Sequence, residues 1–326
     1  MRLAILLIAL IAAACDRDGS PAAPGRGATR TLIAGVNQTY TRIQDALDAA
    51  PSGATITVVP GIYGERLVVT KPVKLQGNQA VLNGLAGGLD GRFVGIEVQS
   101  NDVEISGFVI QNYERGIVAD SVANFRLYDN EVRTNTSKDP PPISAGVTKS
   151  DGVVLYSVQN SEIADNFIHD NGSIGLLAGQ RLGVSISSND NTVRRNRFVN
   201  NGTQQGLPGS GHFGASILIA APSARNQVLD NEMSGSYWGI IIFGPSNTVR
   251  SNRITGNSRA GIMVYGAHNV IENNAATGNG SANFYPNCRY DLMDYRDIDN
   301  TWRDNAGTFG SGEPPYVNPF VSLFCN

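Results

Sequence analysis

The chain has 326 residues, 41% hydrophobic, 16% charged and 7% aromatic, with 37 glycines. That length and apolar content can bury a large core, which excludes a disordered chain, and the glycine density suits short strands broken by turns better than long helices. A formal charge of −3 gives no basic field to hold a phosphate backbone, so nucleic acid is excluded as an expected partner.

The amino terminus carries Arg2 and then an apolar run from Leu3 to Ala14. The run is too short to cross a bilayer as a mature helix, so residues 1–14 read as a secretion signal. It closes on Ala12-Ala13-Ala14-Cys15, which resembles the bacterial lipobox, although leucine is usual where Ala12 stands. The resemblance implies that Cys15 is lipidated and becomes the first mature residue; ordinary cleavage nearby, leaving a free cysteine, is the alternative. Asp16 follows directly, and in the lipoproteins that this segment resembles, an aspartate there implies retention at the inner membrane. The expected location is thus the bacterial cell envelope, periplasmic or surface, with a membrane contact through the lipid. The Pro/Gly-rich stretch that completes residues 15–30 reads as a flexible tether.

Residues 31–53 read as a cap. Thr41 and Gln44 have capping-box spacing, while Ile43, Ala46, Leu47 and Ala50 share one helical face that Pro51 and Gly53 terminate. From Thr41 the chain runs TRIQDALDAAPSGATITVVPGIYGERLVVTKPVKLQG. This segment resembles the opening of many β-helix families, including pectin methylesterases, pectate lyases and NosD-like periplasmic proteins. The resemblance implies fold. Pectin methylesterases also carry an Asp-Phe-Ile-Phe-Gly type motif, and Ile241-Ile242-Phe243-Gly244 lacks its aspartate, which argues against that activity.

Residues 54–310 are expected to form one β-helical body, and along most of the chain a pattern N-x-(V/I)-x-x-N-x-(apolar)-x-x-N recurs. Its central column is Asn130, Asn166, Asn196, Asn231, Asn252, Asn274 and Asn305. Ahead of it come Asn124, Asn160, Asn191, Asn226, Asn247, Asn269 and Asn300, and behind it Asn135, Asn171, Asn201, Ser236, Asn257 and Asn279. The shortest spacings, 21 and 22 residues, correspond to one coil of three short strands. The chain is therefore expected to be all-β, a right-handed parallel β-helix with an amino-terminal capping helix. Asparagine suits the corners because it tolerates left-handed backbone and its amide both donates and accepts, so stacked amides form ladders. Alternation places Ile117, Val153, Leu176, Ile217, Ile240, Ile262 and Leu292 in one inward column.

Insertions at corners are the natural walls of a binding groove. Long links from Asn135 to Gly152 and from Asn201 to Ser216 flank a bare coil carrying His169, Asp170 and Asn171. Arg133 is expected beside His169, Lys149 and Asp151 end the first loop, and His212 lies in the second. A carboxylate beside an imidazole supplies an acid and a base for processing a glycan, and Arg133 or Lys149 would neutralise a uronate carboxylate. Ser150-Asp151-Gly152, Asp170-Asn171 and Gly211-His212-Phe213 faintly resemble the motifs of polygalacturonase-type hydrolases, with Asn171 and Phe213 departing from them and Arg-Ile-Lys absent. His169-Asp170 likewise resembles the last two residues of the Asp-Pro-His-Asp motif of mannuronan epimerases. His169 also reads as a plain surface-column residue, and Asp170 as a turn residue.

The outward face opposite the inward column is apolar, and Tyr156, Phe243, Tyr265 and Tyr295 share one outward column by period two. If bare, these rings would stack on sugars; the alternative is that long loops cover the face. Toward the carboxy terminus Asp291, Asp294, Asp297 and Asp299 read as calcium ligands or as turn residues, and no other cofactor is expected. Cys288 and Cys325 are expected to form a disulfide stapling the tail at 311–326 in an oxidising compartment, two buried thiols being the alternative. The functions left open are an enzyme that acts on an acidic polysaccharide by lyase, epimerase or hydrolase chemistry, a non-catalytic carbohydrate binder, and an envelope scaffold.

Overall fold

A computed structural model describes residues 30–137, 150–179, 187–202, 214–280, 290–295 and 299–311. Residues 1–29 with Cys15, then Lys149, His212, Cys288, Asp297 and the segment 312–326 with Cys325, lie outside the described residues.

Short strands stack in parallel into the three faces of a prism. The first face runs from Thr31–Ala34 and Ala54–Val58 to Thr301–Arg303, the second from Gly61–Tyr63 to Ala275–Thr277, and the third from Leu67–Val69 to Phe309–Ser311. The strands Val73–Asn83 and Glu104–Gln111 run round the corner between the first two faces and join them into one 18-stranded sheet. The third face is a separate 10-stranded sheet. Its inward column is in register as expected, Ile117 against Val153, Leu176, Ile217, Ile240, Ile262 and Leu292, all buried.

Three side-chain ladders hold the corners. In the second, Asn166 accepts at Oδ1 from the backbone N–H and the amide of Asn130, and its own Nδ2 donates to Asn196 at 2.9 Å and to the carbonyl of Leu127 at 2.9 Å. The same pattern runs on through Asn231, Asn252 and Asn274 to Asn305. Each amide thereby satisfies buried backbone groups that a sharp corner takes out of the sheet, and each such group left unpaired would cost about 1–3 kcal/mol.

Two expectations about these corners are corrected. The left-handed residue is the one before each ladder asparagine: Asp129, Asp165, Arg195, Asp230, Ser251, Asn273 and Asp304 have φ between 52° and 58°. The first ladder begins one position later than the repeat suggests. Asn124 and Asn160 are exposed left-handed residues, and the buried rung is Ser161, whose hydroxyl accepts from the N–H of Phe125 and whose N–H donates to Asn191.

The capping helix spans Ile43–Ala49 with Ile43, Ala46 and Leu47 buried, but its start is not a capping box. Arg42 is the cap residue and gives no side-chain bond; the carboxylate of Glu65, one coil on, accepts from the N–H groups of Ile43 at 2.9 Å and Gln44 at 3.1 Å. Gln44 instead pairs with the backbone of Val68, accepting from its N–H at 2.9 Å. A carboxylate here satisfies two orphan donors and meets the positive end of the helix.

Candidate functional site

Three successive strands of the second face, Glu131–Arg133, Phe167–His169 and Arg197–Val199, carry the candidate residues. Their central residues Val132, Ile168 and Phe198 are fully buried, so the flanking residues of each strand face outward. Register puts Glu131, Phe167 and Arg197 in one outward column and Arg133, His169 and Val199 in the other.

His169 is held from both sides. Its Nδ1 lies 2.6 Å from Oδ2 of Asp170, and its Nε2 lies 3.0 Å from Oε1 of Glu131. Asp170 is the left-handed residue before Asn171, with φ 53°, and that backbone turn brings its carboxylate beside the preceding imidazole. Asn200 donates to the other oxygen of Asp170 at 3.3 Å. Arg133 donates to Oε1 of Glu131 at 2.7 Å and to Oε1 of Gln111 at 2.9 Å. The Phe167 ring stacks on His169 with centroids 4.0 Å apart, and the Arg197 guanidinium lies 4.8 Å from the Phe167 centroid.

This geometry decides what the imidazole does. A general base needs a ring nitrogen whose lone pair can meet a substrate proton. Here each ring nitrogen faces a carboxylate oxygen, with the donor and acceptor roles set by the tautomer, so neither nitrogen is open to a substrate proton. The His169 side chain is 12% exposed, whereas that of Arg133 is 38% exposed, so solvent meets the guanidinium more than the imidazole.

Of the residues expected at this corner, Arg133, His169 and Asp170 come together. Asp151 does not join them on the second face; it is fully buried in the third, where it accepts from the N–H of Ile174 at 3.2 Å and lies 3.6 Å from Nε of Arg115. Lys149 and His212 lie outside the described residues. Glu131, Phe167 and Arg197 were missed by sequence reasoning. The signal for Glu131 was available: it sits two residues before Arg133 on the same strand, and period two gives both the same face.

The outward side of the third face is not a bare strip. Val154, Leu177, Leu218, Ile241 and Met263 are buried there, and Tyr156 is only 8% exposed. The aromatic column is also interrupted, because the register that carries Phe243, Tyr265 and Tyr295 continues through Ala220 and Gly179 before reaching Tyr156. Phe243 stacks on Tyr265 with centroids 4.7 Å apart, and Tyr265 meets Tyr295 at 4.2 Å with the planes tilted by 40°. Phe243 and Tyr265 therefore each turn one ring face to the other.

The acidic group near the carboxy terminus closes ladders. Asp291 accepts from the N–H and amide of Asn279 and from the N–H and hydroxyl of Thr308, and Asp294 accepts from Asn300 and from the indole of Trp302. Burial acts to raise the Asp291 carboxyl, but its bonds from Thr308 and Asn279 outweigh that and leave it below the usual range. His268 is exposed, with φ 60°, as befits a corner residue.

A family model described as "Right handed beta helix region" matches residues 89–237, and one described as "Periplasmic copper-binding protein (NosD)" matches residues 212–309. A cell surface glycoprotein of Methanothermus fervidus is 29% identical over 110 residues, which is 33% of this chain and 18% of that protein. Among solved structures, an alginate lyase from a Paenibacillus species superposes with TM-score 0.64 at 16% identity, covering 87% of this chain and 99% of the lyase. Pectate lyase Pel9A gives TM-score 0.60 at 12% identity, covering 91% and 82%. At such identities the shared property is the fold.

The second family's description names copper. Copper takes imidazole and sulfur donors in a compact set. His169 has both nitrogens engaged, His268 stands at an exposed corner, and Met263 packs into the apolar surface of the third face. Among the described residues no group of three His, Cys, Asp or Glu could hold a metal ion, so they do not fit a copper centre.

Proposed function

We propose that this chain, a right-handed parallel β-helix of the pectate lyase-like superfamily, is a cell-envelope protein that binds an acidic polysaccharide against the Arg133, His169 and Asp170 corner. The observation that carries this reading is the engagement of both His169 nitrogens. A ring fixed in this way positions its neighbours instead of moving protons. Glu131 and Gln111 hold the half-buried Arg133 guanidinium in one geometry, and Arg197 lies on the same face. Planar forks held in place recognise carboxylates with little ordering cost. The two lyases that share the fold are named for alginate and pectate, and the family description and the glycoprotein relative name periplasmic and surface proteins. Attachment to the membrane through a lipid on Cys15 completes the reading, with Cys288 and Cys325 as the disulfide that staples the tail.

Processing of the glycan is the second reading. The 2.6 Å contact of Asp170 with His169 is an oriented carboxylate–imidazole pair. It would act as a base only if Glu131 released Nε2. The test is calorimetric titration of the protein with uronate and neutral polysaccharides, with absorbance followed for unsaturated products and an assay for reducing ends. Binding selective for uronates without products is expected. Equal affinity for neutral chains, or no binding at all, would remove the reading.

A further inference from the structure

The two ends of the solenoid are finished differently. Each coil covers the core of the coil before it, so the last coil at either end needs a cover of another kind. At the amino-terminal end the helix Ile43–Ala49 supplies it, with Ile43, Ala46 and Leu47 buried against the core. At the carboxy-terminal end no helix plays that part among the described residues. The inward column of the third face runs buried from Ile117 to Leu292 and then reaches Phe309, the register partner of Leu292, which is 47% exposed. Trp302 continues the inward column of the first face after the fully buried Ile271 and is only half-buried. Between them Gly307 lies over Ala276, where a Cβ would stand 2.2 Å from the Ala276 carbonyl oxygen, and adds no side chain. The Trp302 and Phe309 rings meet edge to face with centroids 5.1 Å apart and form an apolar floor at this end.

Among the described residues the strands Thr301–Arg303 and Phe309–Ser311 pair only with the coil before them, so their outer edges are open as well. An open core end bordered by free strand edges is a surface that favours association. The sequence points to the occupant. Ser311 ends the third face at this rim, and the chain continues from it as GEPPYVNPFVSLFCN, residues 312–326, in which Glu313 is the one charged residue. Phe320, Leu323 and Phe324 stand at i, i+3 and i+4, the spacing with which Ile43, Ala46 and Leu47 cover the other end. Asn318 and Pro319 ahead of them are residue types that favour the start of a helix. A segment tethered at the rim also meets the open end at an effective concentration that a second copy of the chain in dilute solution does not match.

We infer that residues 312–326 cover the open carboxy-terminal end, with Phe320, Leu323 and Phe324 seated on Trp302 and Phe309. The chain then carries its own cap at both ends of the solenoid. Neither the glycan reading nor the Cys288–Cys325 disulfide proposed above enters, since the exposed core column and the composition of the tail are independent of both.

The test uses the full chain with reductant present, so that no disulfide holds the tail. It is compared with a variant carrying Phe320→Ser, Leu323→Ser and Phe324→Ser, which keeps the tail at its full length. Backbone hydrogen exchange is read over residues 301–311 and, as a control, over the strand Arg115–Asp120. A Trp238→Phe background leaves Trp302 as the only tryptophan, and its quenching by acrylamide is read with and without the three serines. Exchange needs no change at Trp238 and so stands even where that substitution disturbs the third face. Exchange over 301–311 about tenfold or more faster in the serine variant, with the control strand unchanged and Trp302 more readily quenched, is the expected result. Equal exchange and equal quenching in the two proteins would overturn the inference. So would protection of 301–311 that appears in the parent only at concentrations where sedimentation shows a dimer. Uronate binding by the same samples reports separately on the functional reading.

Discussion

Ser216 stands where neighbouring coils carry glycine, and its hydroxyl meets that of Ser236 at 2.9 Å, on the rung where the third ladder has serine in place of asparagine. In the other coils there is no room for this. A Cβ on Gly116, Gly152 or Gly175 would lie 2.9–3.1 Å from the amide nitrogen of Asn135, Asn171 or Asn201. Serine on the ladder and serine on the strand are one packing solution. Ser236→Asn alone should overpack the corner and cost about 1–3 kcal/mol. Ser216→Gly with Ser236→Asn should recover most of it, and a denaturation cycle over the four proteins measures the coupling. Additive losses would contradict the pairing.

The position of each ladder gives a second prediction. Asn231→Ala removes an acceptor for Asn196 and donors to Asn252 and the Val193 carbonyl, all buried. A cost of about 3–5 kcal/mol is expected in equilibrium unfolding. Asn160→Ala, at an exposed left-handed residue, should cost about 1 kcal/mol, and Ser161→Ala should cost more than Asn160→Ala. The reverse order would return the ladder to Asn160.

Asp291 closes the third ladder with a carboxyl held below its usual range. A depressed folded value contributes stability that is present above the unfolded value, about 3.9, and is lost as pH falls through the folded one. Asp291→Asn should therefore be less stable than the parent at neutral pH, and the gap should narrow below about pH 4. Melting curves of both proteins across that range check it. A gap independent of pH would mean that the charge is not what the ladder end uses.

Glu65 carries the helix cap from a distance. Glu65→Ala should destabilise by about 1–2 kcal/mol, the size of a lost cap with two donors. Thr41→Ala should change stability by less than about 0.5 kcal/mol, because no cap bond comes from the residues before the helix. Hydrogen exchange at Ile43 and Gln44 locates the effect.

Much of the architecture was legible because a ladder demands the same residue at the same corner of every coil, which leaves a countable spacing in the sequence. Asn130 to Asn305 and Asn135 to Asn279 were placed correctly on that ground alone. In the first ladder Asn191, Asn226, Asn247, Asn269 and Asn300 were also placed correctly, and only Asn124 and Asn160 were read one residue early, because the left-handed position and the rung position both accept asparagine and spacing cannot tell Asn160 from Ser161. Thr41 and Gln44 have the right separation for a capping box, yet Glu65 takes the donors, a tertiary contact between residues 22 apart. The burial of Val154, Leu177 and Ile241 on an outward face agrees with the alternative of a covered face, which alternation left open because it sets which side a residue faces and not what covers that side. At the site, register made the Arg133 and His169 neighbours predictable. What fixed the chemistry was the second hydrogen bond of His169, to Glu131 across a coil.

The central claim is that a held guanidinium on the second face binds a carboxylated glycan. It is tested most directly by titrating a polyuronate into the parent and Arg133→Ala proteins at low and high salt, with absorbance monitored for unsaturated products. The account predicts parent binding that weakens with salt, a loss of about tenfold or more in the variant with unchanged melting temperature, and no product. Equal affinity in the two proteins, or product formation that disappears in His169→Ala, would contradict it.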